Sequence, residues 1–142
     1  MPRKNASFIT TGTAGIRRRV DLDAPDTGFG SVLGQGAAVT QITSRSTGVT
    51  VHAISGQITG DATSLAAEAT ATFIVTNSFV AAADVPVICV ASGPTSGATS
   101  FRVTAVAAGS FSISATNNNV AAGTADTGAP LINFIIIKSA IA

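Results

Sequence analysis

The chain has 142 residues, a length typical of one domain that buries roughly two thirds of the surface its unfolded chain exposes. Hydrophobic residues make up 46%, but tryptophan and tyrosine are absent, and charged residues are only 11%, against about a quarter in a typical soluble domain. The net charge of +1 excludes a global basic field that would attract nucleic acid, and the single cysteine excludes an intrachain disulfide framework.

Residues 1–38 differ from the rest of the chain. They hold more than half of the charged residues, they are rich in glycine, and neither helical nor strand periodicity persists through them. We predict an extended N-terminal arm over 1–38 and a β-sandwich domain over 39–142. Two states of the arm stay open, a free tail in solution and a segment that becomes ordered on a neighbouring subunit.

Arg17, Arg18 and Arg19 form the densest charge in the chain. Nucleic-acid binding would need aromatic or polar readers close by, and only Phe8 and Phe29 are candidates, so nucleic acid is not an expected partner. Arginine is suited to bidentate pairs with carboxylates at interfaces. We therefore predict that the three arginines pair with carboxylates of a neighbouring subunit, with a solvated cluster as the alternative.

From Val39 onward, short segments alternate between β-branched and polar residues. VTQITS and TGVTVHA are followed by GQIT, and ATATFIVT places Ala71, Phe73 and Val75 on one face and threonines on the other. A helix in SLAAEATATF is the rival interpretation, because alanine and glutamate favour helices. We allow only a short helical turn near residues 65–68.

The segment VPVICVAS at 85–92 is a nearly continuous apolar run, as expected of a strand that is covered on both faces. Pro86 places it at the first residues of a strand or at a sheet edge. Cys89 within it is predicted to be a small buried hydrophobic residue and not a reactive thiol.

The clearest alternation follows a predicted turn at Gly109. SFRVTAVAAG leads into SFSISATN, where Phe111, Ile113 and Ala115 face one way and hydroxyl residues the other. PLINFIIIKSA is the last strand-like run. About eight short strands separated by turns predict an all-β antiparallel β-sandwich or jelly-roll-like domain. We expect five side chains to be buried between its two sheets: Phe73, Phe111, Ile113, Phe134 and Ile136.

Candidate catalytic and metal-binding residues are few. His52 alternates with Val49 and Val51, which predicts a histidine on a polar face or with its hydrogen bonds satisfied. No G-x-S-x-G, P-loop or Rossmann fingerprint occurs in the sequence, and no Cys/His spacing fits zinc. We predict no enzymatic activity, no catalytic residue, no cofactor and no metal.

Several aspartates lie in segments that are typical of turns. Asp21, Asp23 and Asp26 lie in DLDAPD, which could offer oxygen ligands to Ca²⁺ but lacks the glycine and distal glutamate of an EF-hand loop, so we predict a solvated turn. Asp84 and Asp126 stand in turn contexts, where an aspartate bonds its own backbone.

Membrane spans and targeting segments are not expected. No apolar run approaches the ~20 residues of a membrane helix, and LINFIIIK has the length of a strand. The basic residues near the N-terminus are not followed by an apolar stretch, so no signal peptide is predicted. We expect a soluble protein that is made in a cytoplasm.

Four segments, in this order, resemble a family of small structural proteins of tailed bacteriophages: VTQITSRSTGVTVHAISGQIT, FIVTNSFVAAADVPVICVASG, FRVTAVAAGSFSISATN and APLINFIIIKSAIA. The shared motifs are T-Q-x-T-S-x-S-T-G-V-T, a T-N-S segment ending in D-V, a V-A-A-G-S-F turn and a terminal I-N-F strand. The resemblance covers residues 39–142. Two features depart from it, Pro86 within a valine run and the lack of a tyrosine in TSGATSFRVT.

The resemblance implies a virion protein of the capsid surface, made in the host cytoplasm. Its expected role is capsid decoration or cementing, in which β-sandwich subunits bind and stabilise the shell of the major capsid protein. The implied assembly is a homotrimer, with a dimer as the other arrangement. The alternative function is a head-fibre or tail-associated module that binds host glycan, although a chain without tryptophan or tyrosine lacks the usual platforms for sugar rings.

Overall fold

The computed structural model describes residues 36–95, 97–121 and 123–139. Over these ranges the chain is all-β, and neither the rival helix in SLAAEATATF nor the short helical turn near residues 65–68 is formed. Leu65 instead makes an isolated bridge with Asp126, and Glu68 has a left-handed φ of 62°, which does not continue a helix. The strands are β1 (Ala37–Thr40), β2 (Val49–Thr50), β3 (Ser55–Thr59), β4 (Thr70–Thr76), β5 (Val85–Ser92), β6 (Thr99–Ala107), β7 (Ser110–Asn117) and β8 (Leu131–Ile137).

The eight strands form two four-stranded sheets. The first sheet has the order β1-β3-β8-β5, and the second has the order β2-β4-β7-β6. The chain changes sheet at every connection except the β6–β7 hairpin, so β1 lies parallel to β3 and β2 parallel to β4, while the other pairings are antiparallel. The prediction of an all-β sandwich is confirmed, and its more specific jelly-roll form is not.

The β6–β7 hairpin turns where the sequence predicted. Gly109 has a φ of 83°, a left-handed conformation that glycine adopts without the steric cost of a side chain. Its N–H donates to the carbonyl of Val80 at 2.9 Å, and its own carbonyl accepts the N–H of Asn77 at 2.8 Å. The hairpin is therefore bonded to the segment that follows β4.

The core lies between the two sheets. All five side chains predicted to be buried there are buried, and Phe111 of β7 packs on Phe134 of β8 with ring centroids 6.0 Å apart. These two rings come from opposite sheets and join them at the centre of the sandwich. Six aliphatic side chains complete this cluster: Val49, Val51, Ile58, Val75, Val80 and Ile132.

Strand β5 corrects two of the predictions. It is an edge strand of the first sheet, as Pro86 indicated, but it is not covered on both faces. Pro86 is buried, whereas Val85 and Val87 are 53% and 43% exposed, because alternate side chains of a strand point to opposite faces. Cys89 shares the outward face with these valines and is exposed, so the prediction that it is buried is wrong.

The predicted boundary between arm and domain falls close to the first strand. β1 begins at Ala37, so the last two residues of the predicted arm, Ala37 and Ala38, pair with Gly56 and Gln57 of β3. Residues 1–35 of the predicted arm lie outside the described residues, and these include Arg17–Arg19 and the DLDAPD carboxylates.

Candidate functional site

Arg45 and Asp126 form a buried polar cluster at one end of the sandwich. Arg45 is 6% exposed and Asp126 is fully buried, and their Nη2 and Oδ1 atoms lie 3.6 Å apart. Nη2 also donates to the carbonyl oxygens of Asp126 at 3.0 Å and Gly128 at 2.8 Å, and Nε donates to the carbonyl of Thr63. One side chain therefore ties the loop after β3 to the loop before β8.

The Asp126 carboxylate is held ionised by its hydrogen bonds. Oδ1 accepts the backbone N–H of Thr95 at 3.0 Å, the hydroxyl of Thr95 at 3.1 Å and the N–H of Gly128 at 3.0 Å. Burial acts to raise the pKa of Asp126, but these donors and the nearby Thr99 hydroxyl outweigh it and lower the pKa below the ordinary 3.8. The cluster is closed to solvent and serves the fold.

Gln41 extends the cluster towards the start of the domain. Its Nε2 donates to the carbonyls of Arg45 at 3.0 Å and Thr47 at 2.7 Å, and its Oε1 accepts the N–H of Asp61 at 3.0 Å. Gln41 thus closes the loop between β1 and β2 through bonds that an apolar residue could not make.

A second carboxylate, Asp84, anchors the end of β8. Its Oδ2 accepts the N–H of Ala81 at 2.7 Å and the Lys138 ammonium, while Oδ1 accepts the N–H of Ser139 at 3.2 Å. The Ala81 bond contributes most, followed by Lys138, and together they lower the pKa of Asp84 below 3.8. The prediction that Asp84 and Asp126 bond the local backbone is confirmed.

Acid should destabilise the fold through these carboxylates. The pKa values of Asp84 and Asp126 lie below the ordinary 3.8 in the folded chain. Their ionised forms therefore stabilise the folded state at pH values above 3.8. That contribution is lost as the pH falls through the folded-state pKa values. In circular-dichroism melts, we expect a thermal midpoint that changes little from neutral pH to about pH 5 and falls at lower pH. An Asp84→Asn variant should show a shallower fall, and a midpoint that rises with acid would contradict this account.

His52 is exposed, and its role is the one predicted. Its Nδ1 accepts the backbone N–H of Ser78 at 3.0 Å, which makes it a histidine whose ring is hydrogen-bonded to the backbone of another segment. Within the described ranges, no group of three or more histidine, cysteine or acidic side chains could hold a metal ion. The same part of the chain contains no helix that is long and apolar enough to cross a membrane.

The outward face of the second sheet is covered with hydroxyl groups. Hydrogen bonds link its strands: Thr70 to Thr116 at 2.9 Å, Thr72 to Ser114 at 2.7 Å, and Thr104 to Ser114 at 3.3 Å. We call this surface the hydroxyl face. Its hydroxyl residues are Thr70, Thr72, Thr76, Ser100, Thr104, Ser110, Ser112 and Thr116, with Ser114 buried among them.

The outward face of β5 and β8 is apolar where Val85 and Val87 lie, and it becomes polar at Asn133, which lies opposite Cys89. Val85 lies opposite Ile137, and Val87 lies opposite Ile135, so four aliphatic side chains and Cys89 form one patch that we call the apolar face. A shallow depression opens on it, lined by backbone and side chains that include Val87, Cys89 and Ile135. The five residues of the apolar face carry no charge. This surface was not predicted from the sequence, because the apolar run at 85–92 indicated a strand covered on both faces.

No family model, no curated protein and no solved structure matches the chain.

Proposed function

We propose that the chain is a structural protein of a tailed-bacteriophage virion, a capsid decoration or cement protein that binds and stabilises the shell of the major capsid protein. One observation from the structure carries the proposal: the sandwich presents two outward faces with little charge, the hydroxyl face and the apolar face. The sequence motifs of residues 39–142 supply the link to phage structural proteins.

The apolar face is better suited to contact with another protein surface than to contact with water. Val85, Val87 and Ile137 are each about half exposed on it, and monomeric soluble proteins rarely leave large contiguous apolar patches uncovered. Burying such surface contributes about 25 cal/mol per Å². A protein repeated many times on a shell has neighbours that can cover this face.

The hydroxyl face suits extended polar contact. Serine and threonine hydroxyls both donate and accept hydrogen bonds, so they can match backbone groups on a partner without requiring a fixed charge pattern. Arg102 contributes a charged side chain to this sheet, and Ile74 is 54% exposed among the hydroxyl groups. Such a surface can bind a partner through many contacts spread over a large area. A subunit that stabilises a shell needs a large contact area more than it needs a pocket.

The copy number in purified virus particles tests this function. A cement protein should be present at a copy number comparable with that of the major capsid protein, and quantitative mass spectrometry can measure the ratio. A handful of copies would instead favour the head-fibre or tail-associated module. Absence from the particle would overturn the proposal.

The arginines of the arm should strengthen capsid binding. Replacing Arg17, Arg18 and Arg19 by alanine in the full chain should reduce co-sedimentation with capsids that lack the protein, because charge-assisted pairs with capsid carboxylates are lost. Binding of the unaltered chain should weaken as salt rises. Arg102→Ala removes one exposed arginine from the hydroxyl face, and it should reduce binding less than the triple change does. Equal binding by the triple variant and the unaltered chain would remove the arm from the interface.

A further inference from the structure

The four edge strands of the sandwich differ in how well they could accept another strand. β1 has four residues and β2 has two, and short edges are poor templates for pairing. β6 carries Arg102 and an irregularity between Val103 and Ala105. β5 has eight residues without a charge, and its pairing with β8 stays regular from Val85 to Val90. Within the part of the chain that the structure describes, β5 is the edge least protected against pairing.

The pairing of β5 with β8 shows which backbone N–H and C=O groups of β5 point towards its open edge. Pro86 has no N–H, and the N–H of Ile136 opposite it donates to Ile54 at 2.7 Å, on the other side of β8. Pro86 and Ile136 are therefore a pair without mutual hydrogen bonds, and such pairs alternate with bonded ones. It follows that the N–H and C=O groups of Ile88 and Val90 point away from β8, towards the open edge.

We propose that β5 pairs in antiparallel orientation with β5 of a second copy of this chain, about a two-fold axis at Cys89. In this register, Ile88 lies opposite Val90 of the second copy, and Val90 lies opposite Ile88. Each pair exchanges two backbone hydrogen bonds, so both outward N–H groups and both of their carbonyls are satisfied. The two four-stranded sheets become one sheet of eight strands, and the two apolar faces become continuous.

Pro86 favours this register over the neighbouring one, in which the two-fold axis lies at Ile88. An axis at Ile88 would place Val90 opposite Pro86 of the second copy, and the carbonyl of Val90 would then face a residue that has no N–H to donate. An unpaired polar group in an interface costs free energy, which disfavours that arrangement. With the axis at Cys89, Pro86 lies beyond the bonded pairs and limits the length of the contact.

A second copy is the occupant that these features fit. The contact is self-complementary about its axis, as a two-fold interface requires, and no charge is buried or repelled across it. A strand of eight residues spans about 26 Å, so the paired edges with their flanking side chains bury roughly 1,000 Å², near the lower limit for a specific interface. We therefore infer a weak dimer that forms at high concentration.

This inference does not depend on the proposed function, since it concerns two copies of the chain alone. A closed two-fold contact gives a dimer and not the homotrimer that the resemblance implies. On a capsid, the same contact would link copies that already lie close together on the shell, where the effective concentration is high.

Cys89 lies on the proposed two-fold axis, so a disulfide cross-link between two copies can test the axis. Opposed residues of a pair without mutual hydrogen bonds have Cα atoms about 4.5 Å apart, within the range of a disulfide. Mild oxidation of the full chain by oxygen with copper-phenanthroline should join two Cys89 thiols, which give two protons and two electrons to oxygen. We expect a covalent dimer on non-reducing gels, formed faster as protein concentration rises.

Two single-cysteine controls test the register. In a Cys89→Ser background, Val87→Cys places a thiol on the same face but opposite residue 91 of the second copy, and it should cross-link more slowly than Cys89. Ile74→Cys in the same background places an exposed thiol on the hydroxyl face and should cross-link at the rate of random collision. Equal rates for all three proteins would overturn the proposal.

Sedimentation equilibrium tests the contact without oxidation. The full chain should show a concentration-dependent dimer, and Val87→Lys should weaken it at least tenfold because it places two like charges beside the paired edge. Ile74→Lys is the matched control, an exposed aliphatic residue on the other sheet, and should leave the dimer unchanged. Thermal melts verify that both variants are folded. A monomer at every concentration, or a dimer that Val87→Lys does not weaken, would overturn the proposal.

Discussion

Replacing Phe111 by alanine should lower the free energy of unfolding by about 3–5 kcal/mol. Phe111 is 1% exposed, and its ring packs on Phe134 across the interface between the sheets, with centroids 6.0 Å apart. Removing the ring takes away its buried apolar surface and leaves a cavity that the two sheets can only partly close. Because the chain has no tryptophan or tyrosine, each core phenylalanine contributes a larger share of the buried aromatic surface.

Urea unfolding followed by circular dichroism measures the loss. The matched control is Phe79→Ala, since Phe79 is 47% exposed and its removal opens no closed cavity in the core. We expect the control to cost about 1 kcal/mol or less. If Phe111→Ala also cost no more than that, Phe111 could not be the side chain that joins the two sheets.

The strands β4 and β7 could be predicted from the sequence because their side chains alternate strictly. Phe73 and Val75 face the core beside Phe111 and Ile113 of the partner strand, and the intervening residues are mostly hydroxyl-bearing. One face is thus apolar and the other polar, so the period of two fixes both the strand and its orientation. The same pattern gave the core and the hydroxyl face together.

The surroundings of β5 could not be predicted in the same way. A run such as VPVICVAS is apolar on both faces, and periodicity cannot show whether a second layer covers the outward side. Pro86 correctly indicated an edge strand, yet the exposure of Val87 and Cys89 depends on whether another layer of the protein covers the outward face. This tertiary information is absent from the local pattern.

The partner of Arg45 could not be predicted either. Arg45 stands in the polar segment TSRST, which the sequence analysis treated as strand and turn, and the carbonyl of Asp126 that it bonds lies 81 residues further along the chain. A cue existed in hindsight, because Arg45 is one of few charged residues outside the arm. Nothing local could pair it with Asp126.

Breaking the Arg45–Asp126 cluster should destabilise the fold about as much as loss of a core aromatic ring. Arg45→Met keeps an unbranched apolar stem but removes the guanidinium, which leaves the carbonyls of Thr63 and Gly128 without this donor and the buried Asp126 carboxylate without its cation. Removing one partner of a buried ion pair costs about 3–5 kcal/mol. Arg102→Met, at an exposed arginine, is the control and should cost about 0.5 kcal/mol or less.

A double-mutant cycle with Asp126→Asn separates the ion pair from the hydrogen bonds to the backbone. The asparagine keeps an oxygen that can accept from Thr95 and Gly128 but removes the charge, so it leaves the Arg45 guanidinium buried and uncompensated. Each single change thus exposes its partner's charge to a poorly solvating interior, and in the double variant neither charge remains. We therefore expect the double variant to lose about 0.5–3 kcal/mol less than the sum of the single losses, measured by urea unfolding. Strict additivity would contradict this, and it would mean that Arg45 stabilises the two loops through its carbonyl bonds alone.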